Sequence, residues 1–277
     1  MAAPNERWWN QPQLWVELFA ILNIGFLTFD IFLAHNVNQF RKPAEYLPFF
    51  FSATSPVALI VALWFRSRRP MIWNVLGQVV GWSAILIGLT GVILHLQSNF
   101  FYARTLRSLT YSAPFAAPLA YTGLGFLLIM NRMVDSESTE WAQWVLLFTL
   151  GGFAGNFVFS VADHAQNGFY YPLEWVPVAA SAIAIGFLAV PLIMRVSRVF
   201  IDLCAAVLLL EAAVGLWGFI LHTDANLHGP STHAFDNFVN GAPPMAPLLF
   251  PNLMVLGIIA LWQLRNSGTY LIDSVVA

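Results

Sequence analysis

The chain has 277 residues, of which 58% are hydrophobic and only 9% are charged, with a formal net charge of -2 and a mean hydropathy of +0.69. So few charges cannot form the surface of a soluble domain, and the composition therefore excludes an ordinary soluble protein. The sequence contains no phosphate-binding loop, nucleophile elbow or basic patch. We expect the lipid bilayer as a partner and no nucleic acid.

Eight apolar runs follow one another along the chain, each long enough to cross a hydrocarbon core of about 30 Å. Backbone groups must be paired inside lipid, and the runs show no alternation of period two, so they predict helices. The runs lie near residues 14–34, 47–65, 71–96, 112–131, 141–163, 172–194, 199–222 and 245–264. The predicted fold class is an all-α integral membrane protein with eight transmembrane helices.

Basic residues predict the orientation. The amino terminus, the carboxyl terminus and the second, fourth and sixth connections hold Arg7, Arg66, Arg68, Arg69, Arg132, Arg195, Arg198 and Arg265. The remaining connections hold Arg41, Lys42, Arg104 and Arg107. By the positive-inside rule, both termini are predicted to be cytoplasmic.

Two distant segments match at a constant offset. Residues 35–48 and 164–177 share a histidine, an asparagine, a phenylalanine and a glutamate, each 129 residues apart. The same offset relates Ala113–Leu119 to Ala242–Leu248, which share two Ala-Pro pairs. These matches predict an internal duplication of a four-helix unit, with residues 1–134 and 135–277 as the two copies. Because each copy has an even number of spans, a pseudo-two-fold axis along the membrane normal is expected.

Each odd-numbered predicted helix ends at a histidine that an asparagine follows three or four residues later. The four histidines are His35, His95, His164 and His222. Their common position predicts four imidazoles at one depth, which the orientation argument assigns to the outer face.

Imidazole is the commonest metal ligand and a frequent axial ligand of haem iron. One hypothesis is therefore a pseudo-symmetric centre of His35, Glu45, His95, His164, Glu174 and His222 that binds iron, copper or zinc. The alternative is that the histidines pair as axial ligands of one or two non-covalent haems. Either cofactor would suit redox chemistry.

A purely structural interpretation is also open. A histidine at a helix carboxyl end interacts favourably with the helix dipole and can cap the last carbonyls. Such a cap would be inherited in every copy of a duplicated unit. It does not explain Glu45 and Glu174, which keep their register beside Pro48 and Pro177.

Two acidic residues inside the apolar runs are candidates for a proton path. Glu211 lies eleven residues before His222, roughly 16 Å deeper in the membrane on nearly the same helix face. Asp30 lies five residues before His35. An ionisable group at such depth is a functional hypothesis, and a protonated packing residue is the alternative.

In topology alone, the predicted chain is similar to haem A synthase, which also has eight helices in two related halves with outward-lying histidines. The histidine positions and the motifs differ, so the similarity implies nothing beyond architecture. Three functions stay open: a metal- or haem-dependent membrane oxidoreductase, a cofactor-free subunit of a larger membrane complex, and a small-molecule or ion transporter.

Overall fold

The computed structural model describes residues 10–267 and is all-helical there; Arg7 and the other terminal residues lie outside that range. The helices in chain order are α1 (Pro12–Asn36), α2 (Pro43–Phe65), α3 (Pro70–Leu96), α4 (Phe100–Ala103), α5 (Leu106–Thr110), α6 (Leu119–Met133), α7 (Thr139–Ala165), α8 (Trp175–Ile193), α9 (Arg198–Leu227), α10 (Ala234–Asn240) and α11 (Leu249–Asn266). Short 3₁₀ turns, Pro172–Glu174 and Ala246–Leu248, precede α8 and α11.

Seven helices in the described range are long and apolar enough to cross a membrane, which makes the chain an integral multi-pass membrane protein. The fourth predicted span differs, since α6 begins at Leu119 rather than near residue 112 and has 15 residues, a length of about 22 Å. The reason lies in Pro114 and Pro118, which lack the N–H that a helix interior requires. The chain between them forms turns instead.

The seven candidate membrane helices and α6 pack in two groups. The first helix group comprises α1, α2, α3 and α6, and the second comprises α7, α8, α9 and α11; they meet where α6 touches α7 and α1 touches α11. Within each group a glycine permits close packing. Gly88 on α3 faces Pro118, and Gly215 on α9 faces Pro247, so a side chain at either glycine would collide with its neighbour's backbone.

The core lies between the groups, and the outside is apolar. Trp141 and Phe153 of α7 are fully buried among leucines of both groups. Leu22 and Trp64, in contrast, are 70% and 72% exposed. Large exposed hydrophobic side chains around the helices are typical of a surface in contact with lipid.

The long connections on the histidine side cross from one group to the other. The connection with α4 and α5 rests on α7, where the Tyr111 hydroxyl donates to the Gln166 carbonyl at 3.3 Å. In the opposite direction α10 rests on α1, with the rings of Phe235 and Phe32 6.3 Å apart. A connection from each helix group thus covers part of the histidine-side end of the other group.

Candidate functional site

The first histidine pair lies at the ends of α1 and α3. The ring centroids of His35 and His95 are 6.3 Å apart. Glu45, at the start of α2, is buried and has its Oε2 atom 4.0 Å from Nδ1 of His35. These three predicted ligands therefore come together within the first helix group.

The second pair lies at the corresponding ends of the second group. The ring centroids of His164 and His222 are 6.4 Å apart. Here Glu174 accepts a hydrogen bond from Nδ2 of Asn167 at 2.7 Å. The prediction that α9 ends at His222 is wrong, because the helix continues to Leu227. The imidazole of His222 therefore projects from the side of a helix rather than from its last residue.

The loops after His35 and His164 share one backbone conformation, which explains how the motif positions each ring. Gln39 and Phe40 have φ of 55° and 49°, and their counterparts Gly168 and Phe169 have φ of 72° and 54°. The N–H of each phenylalanine donates to the carbonyl of the histidine five residues earlier. This left-handed turn closes the helix and places the phenylalanine ring beside the imidazole.

His95 and His222 have a fixed tautomer. Nδ1 of His95 lies 2.8 Å from the carbonyl of Pro114, and Nδ1 of His222 lies 2.8 Å from the carbonyl of Pro243. Because a carbonyl only accepts hydrogen bonds, Nδ1 carries the proton and a neutral ring keeps a free lone pair on Nε2. Histidines that bind metals are commonly oriented in this way.

The six predicted ligands form two sets rather than one. In the described part of the chain, no ring contact joins His35 or His95 to His164 or His222. Among the same residues, no group of three or more histidine, cysteine, aspartate or glutamate side chains is arranged to hold a metal ion. What each helix group offers is a pair of imidazoles with a carboxylate nearby.

A cavity of about 320 Å³ adjoins the second pair. It lies between α7, α8, α9 and the start of α11, and its lining includes His164, His222, Asp163, Asn156, Ser160, Leu210 and Trp217. Leu210 and Trp217 are 65% and 58% exposed on the lipid-facing surface. The cavity is therefore polar at the histidine end, apolar along most of its wall, and bordered by residues that are exposed toward lipid.

Four further buried polar residues lie on the helices around this cavity, and two of them, Asn156 and Ser160, line it. Asn156 and Ser160 are buried on α7, and Nδ2 of Asn156 has no hydrogen-bond partner. On the neighbouring helices, Ser181 and Glu211 are also buried, and neither Oγ of Ser181 nor Oε2 of Glu211 has a partner. Buried polar atoms without partners are rare and call for an explanation.

The corresponding region of the first group is filled. At the offset of 129, Leu27 and Ile31 stand where the second group has Asn156 and Ser160. Leu27 and Ile31 pack with Tyr121 and two phenylalanines, Phe49 and Phe51. The hydroxyl of Tyr121 is satisfied by Ser52 and by the carbonyl of Pro48.

Asp30, the other predicted proton-path residue, is half-buried on α1 and interacts electrostatically with Tyr121. It belongs to the first helix group, whereas Glu211 belongs to the second. The structure gives these two residues no shared path.

One polar cluster was missed by the sequence analysis. Glu17 on α1 is fully buried and accepts two hydrogen bonds, at 2.6 and 2.7 Å, from the Arg132 guanidinium on α6. That guanidinium also lies over the Trp73 ring, 4.1 Å from its centroid. Arg132 was interpreted only as a topology signal. The available clue was Glu17, an ionisable residue inside the first apolar run.

The comparisons with known proteins give no relative: no family model matches the chain, and neither a curated protein nor a solved structure is significantly similar to it.

Proposed function

We propose that the chain is a duplicated four-helix unit, residues 1–134 and 135–277, with α6 as an eighth membrane crossing. Equivalent features at fixed offsets support this proposal. They include the two left-handed turns, the two imidazole pairs, the two histidine-to-proline hydrogen bonds and the two glycine-to-proline contacts. In the irregular segment before α6, the Pro114 carbonyl accepts a hydrogen bond from Nδ1 of His95, which satisfies a polar group at the membrane boundary.

We further propose that the second unit binds one non-covalent haem, with His164 and His222 as axial ligands, and that the protein takes part in electron transfer. The observation that carries the proposal is the imidazole pair bordering a cavity. With metal–nitrogen bonds of about 2.0 Å and a ring centre about 1.1 Å beyond each nitrogen, two imidazoles that held one iron from opposite sides would have centroids roughly 6.2 Å apart. The separation of His164 and His222 is 6.4 Å.

The ligand count favours haem over a bare metal ion. Zinc, copper and non-haem iron sites use three or four protein ligands, and no such group occurs among the described residues. A porphyrin supplies four nitrogens itself and requires only two imidazoles from the protein. A volume of 320 Å³ is at the small end for a ligand pocket. The opening toward lipid leaves room for the outer edge of a macrocycle.

Different residues of the second unit would have different roles in haem binding. His164 and His222 would hold the iron, and the Pro243 carbonyl fixes the ring of His222. Asp163 and Glu174 interact electrostatically with His164 and offset positive charge at this end of the cavity. The bound haem would supply one-electron chemistry.

The test is an absorption spectrum and a haem assay on the full chain purified from haem-sufficient cells. We expect a Soret band and about one haem per chain, lost in His164→Ala and in His222→Ala. His95→Ala should keep the haem, and so should His233→Ala, which changes an exposed loop histidine.

A folded, colourless wild-type protein would contradict the haem proposal, and metal analysis of the same sample would then decide whether a bare ion is bound. With neither cofactor present, His95 and His222 would serve to satisfy proline carbonyls. The chain would then be a cofactor-free subunit of a membrane complex or a transporter.

We propose that both termini lie in the cytoplasm and the histidine ends face outward, as the arginine distribution favours. Labelling with a membrane-impermeant maleimide tests this. The only native cysteine, Cys204, is buried and gives little background. In intact cells Thr232→Cys should react and Ser67→Cys should not; the reverse result would invert the topology.

A further inference from the structure

We propose that Glu211 is a protonated, proton-exchanging carboxyl near the middle of the membrane, and that the deep end of the second-unit cavity is its route to solvent. The inference is independent of haem. It rests on where Glu211 lies, on what surrounds it, and on the contrast with the first helix group.

Glu211 lies at a depth where no charge can compensate it. It is 3% exposed and stands near the centre of α9, a helix of 30 residues. The helices and turns around it carry their titratable groups close to helix ends or in connections. These are Glu140, Asp163 and His164 on α7, Glu174 before α8, Arg195 between α8 and α9, Arg198, Asp202, Cys204, His222 and Asp224 on α9, His228 directly after it, His233 and Asp236 around α10, and Arg265 on α11. Arg265 already pairs with Asp202.

A carboxylate without a cation at this depth is far less stable than the neutral acid, so Glu211 carries a proton. Glu17 shows the opposite case. It is equally buried, but its two hydrogen bonds to Arg132 keep it ionised. Under this proposal, the chain contains two buried glutamates in opposite protonation states, with Glu211 neutral and Glu17 ionised.

The cavity provides the route. Along α9 its lining runs from His222 to Ala213 and Leu210; Glu211 is adjacent to these residues in the chain but is not itself part of the lining. Asn156 and Ser160 of α7 line the same cavity. Asn156 has an amide nitrogen without a partner. Solvent held by these two side chains can accept the Glu211 proton and return one by the same path.

The first unit shows that these polar residues are not needed to form a histidine hairpin. By the offsets of 129 and 127, Asn156, Ser160 and Glu211 correspond to Leu27, Ile31 and Ala84, all apolar. The imidazole separation is nearly the same in both units, 6.3 and 6.4 Å. The polar line of the second unit is thus an addition to the shared architecture.

Infrared spectroscopy of the full chain in lipid tests the inference. We expect a carbonyl stretch of a protonated carboxyl that is absent in Glu211→Gln and present in Glu17→Gln. In D2O the band should shift as the proton exchanges. In Asn156→Leu/Ser160→Ile, which introduces the first-unit residues, the exchange should slow at least tenfold. Ser181→Ala, a change at a buried serine outside the cavity lining, should leave it unchanged.

A second measurement covers the case in which the double variant does not fold. A hydrophobic carbodiimide adds to a protonated carboxyl, so mass spectrometry should find the adduct at Glu211 and not at Glu17. Ser160→Ala, which only removes an oxygen, should slow proton exchange in the same direction as the double variant. An ionised Glu211, or equal exchange rates in wild type and both cavity variants, would overturn the inference. Neither readout uses haem absorbance, so a colourless protein leaves the test intact.

Discussion

The two helix groups hold similar imidazole pairs but differ in where they place polar groups. The first group has the buried ion pair of Glu17 and Arg132 at the end away from the histidines, and packs aromatic rings below its histidine end. The second group has leucines, Leu146 and Leu261, at the positions of that ion pair. It keeps a cavity at the histidine end instead.

The difference shows that two similar arrangements of four helices can differ in function: one is held together by a buried ion pair, and the other contains a cavity. An ion pair with good geometry and an aromatic cover holds α1, α3 and α6 in one arrangement. In the second group the corresponding contacts are apolar, and Asn156, whose Nδ2 has no hydrogen-bond partner, lines a cavity. The first group thus has the features of a rigid scaffold, and the second those of a binding site. Substitutions that exchange residues between the groups test this interpretation.

The largest effect is expected at the ion pair. Arg132→Ala leaves the Glu17 carboxylate buried without a partner, which should cost about 3 to 5 kcal/mol, or on the order of 10 °C in the unfolding midpoint. Glu17→Leu/Arg132→Leu, which introduces the second-group residues, should cost far less because no charge is stranded. A thermal scan with a thiol-reactive fluorophore measures both, since Cys204 is buried until the chain unfolds. Equal destabilisation of the single and double variants would contradict the comparison.

A smaller effect is expected when the cavity is filled. Ser160→Ile/Ala213→Leu introduces the first-unit residues Ile31 and Leu86 into the lining. We expect haem affinity to fall at least tenfold, about 1.4 kcal/mol, with the histidines unchanged. Haem titration of the apoprotein measures it. The matched control is Ile31→Val, a conservative change in the filled group, and unchanged affinity in the double variant would mean that the haem lies elsewhere.

The smallest effect concerns a serine present in both groups. Ser52 bonds the hydroxyl of Tyr121, whereas its counterpart Ser181 has no partner because Phe250 replaces the tyrosine. Tyr121→Phe should destabilise the chain by about 1 kcal/mol, and Ser181→Ala should be neutral or slightly stabilising. The same thermal scan checks both changes. A loss of stability in Ser181→Ala would indicate that this hydroxyl has a role that the structure does not explain.

The sequence predicted the helices well where composition alone decides them. The first apolar run, 14–34, lies inside α1, and the third, 71–96, inside α3. The prediction failed where backbone chemistry competes with hydropathy. The segment before Leu119 is apolar enough for lipid, but its prolines prevent helical hydrogen bonding.

The site was predicted in part. Motif spacing identified His35, His95, His164 and His222 as equivalent positions, and the structure pairs them within groups. Spacing gives the position of a ring along its helix, but which helices are neighbours follows from packing between helices. The cavity depends on side-chain volumes summed over four helices, α7, α8, α9 and α11. For that reason no single sequence motif predicted the cavity.

The crossed connections suggest how such a chain arose. The connection with α4 and α5 rests on α7, and α10 rests on α1, so each half completes the end of the other. Under the duplication proposed above, a lone ancestral half would have needed a second copy to supply that cover, as in a two-fold symmetric homodimer with exchanged loops. Fusion of two copies of its gene would have removed the requirement, imposed by symmetry, that both copies have the same sequence. Under the same proposal, one copy then became the rigid unit and the other the ligand-binding unit.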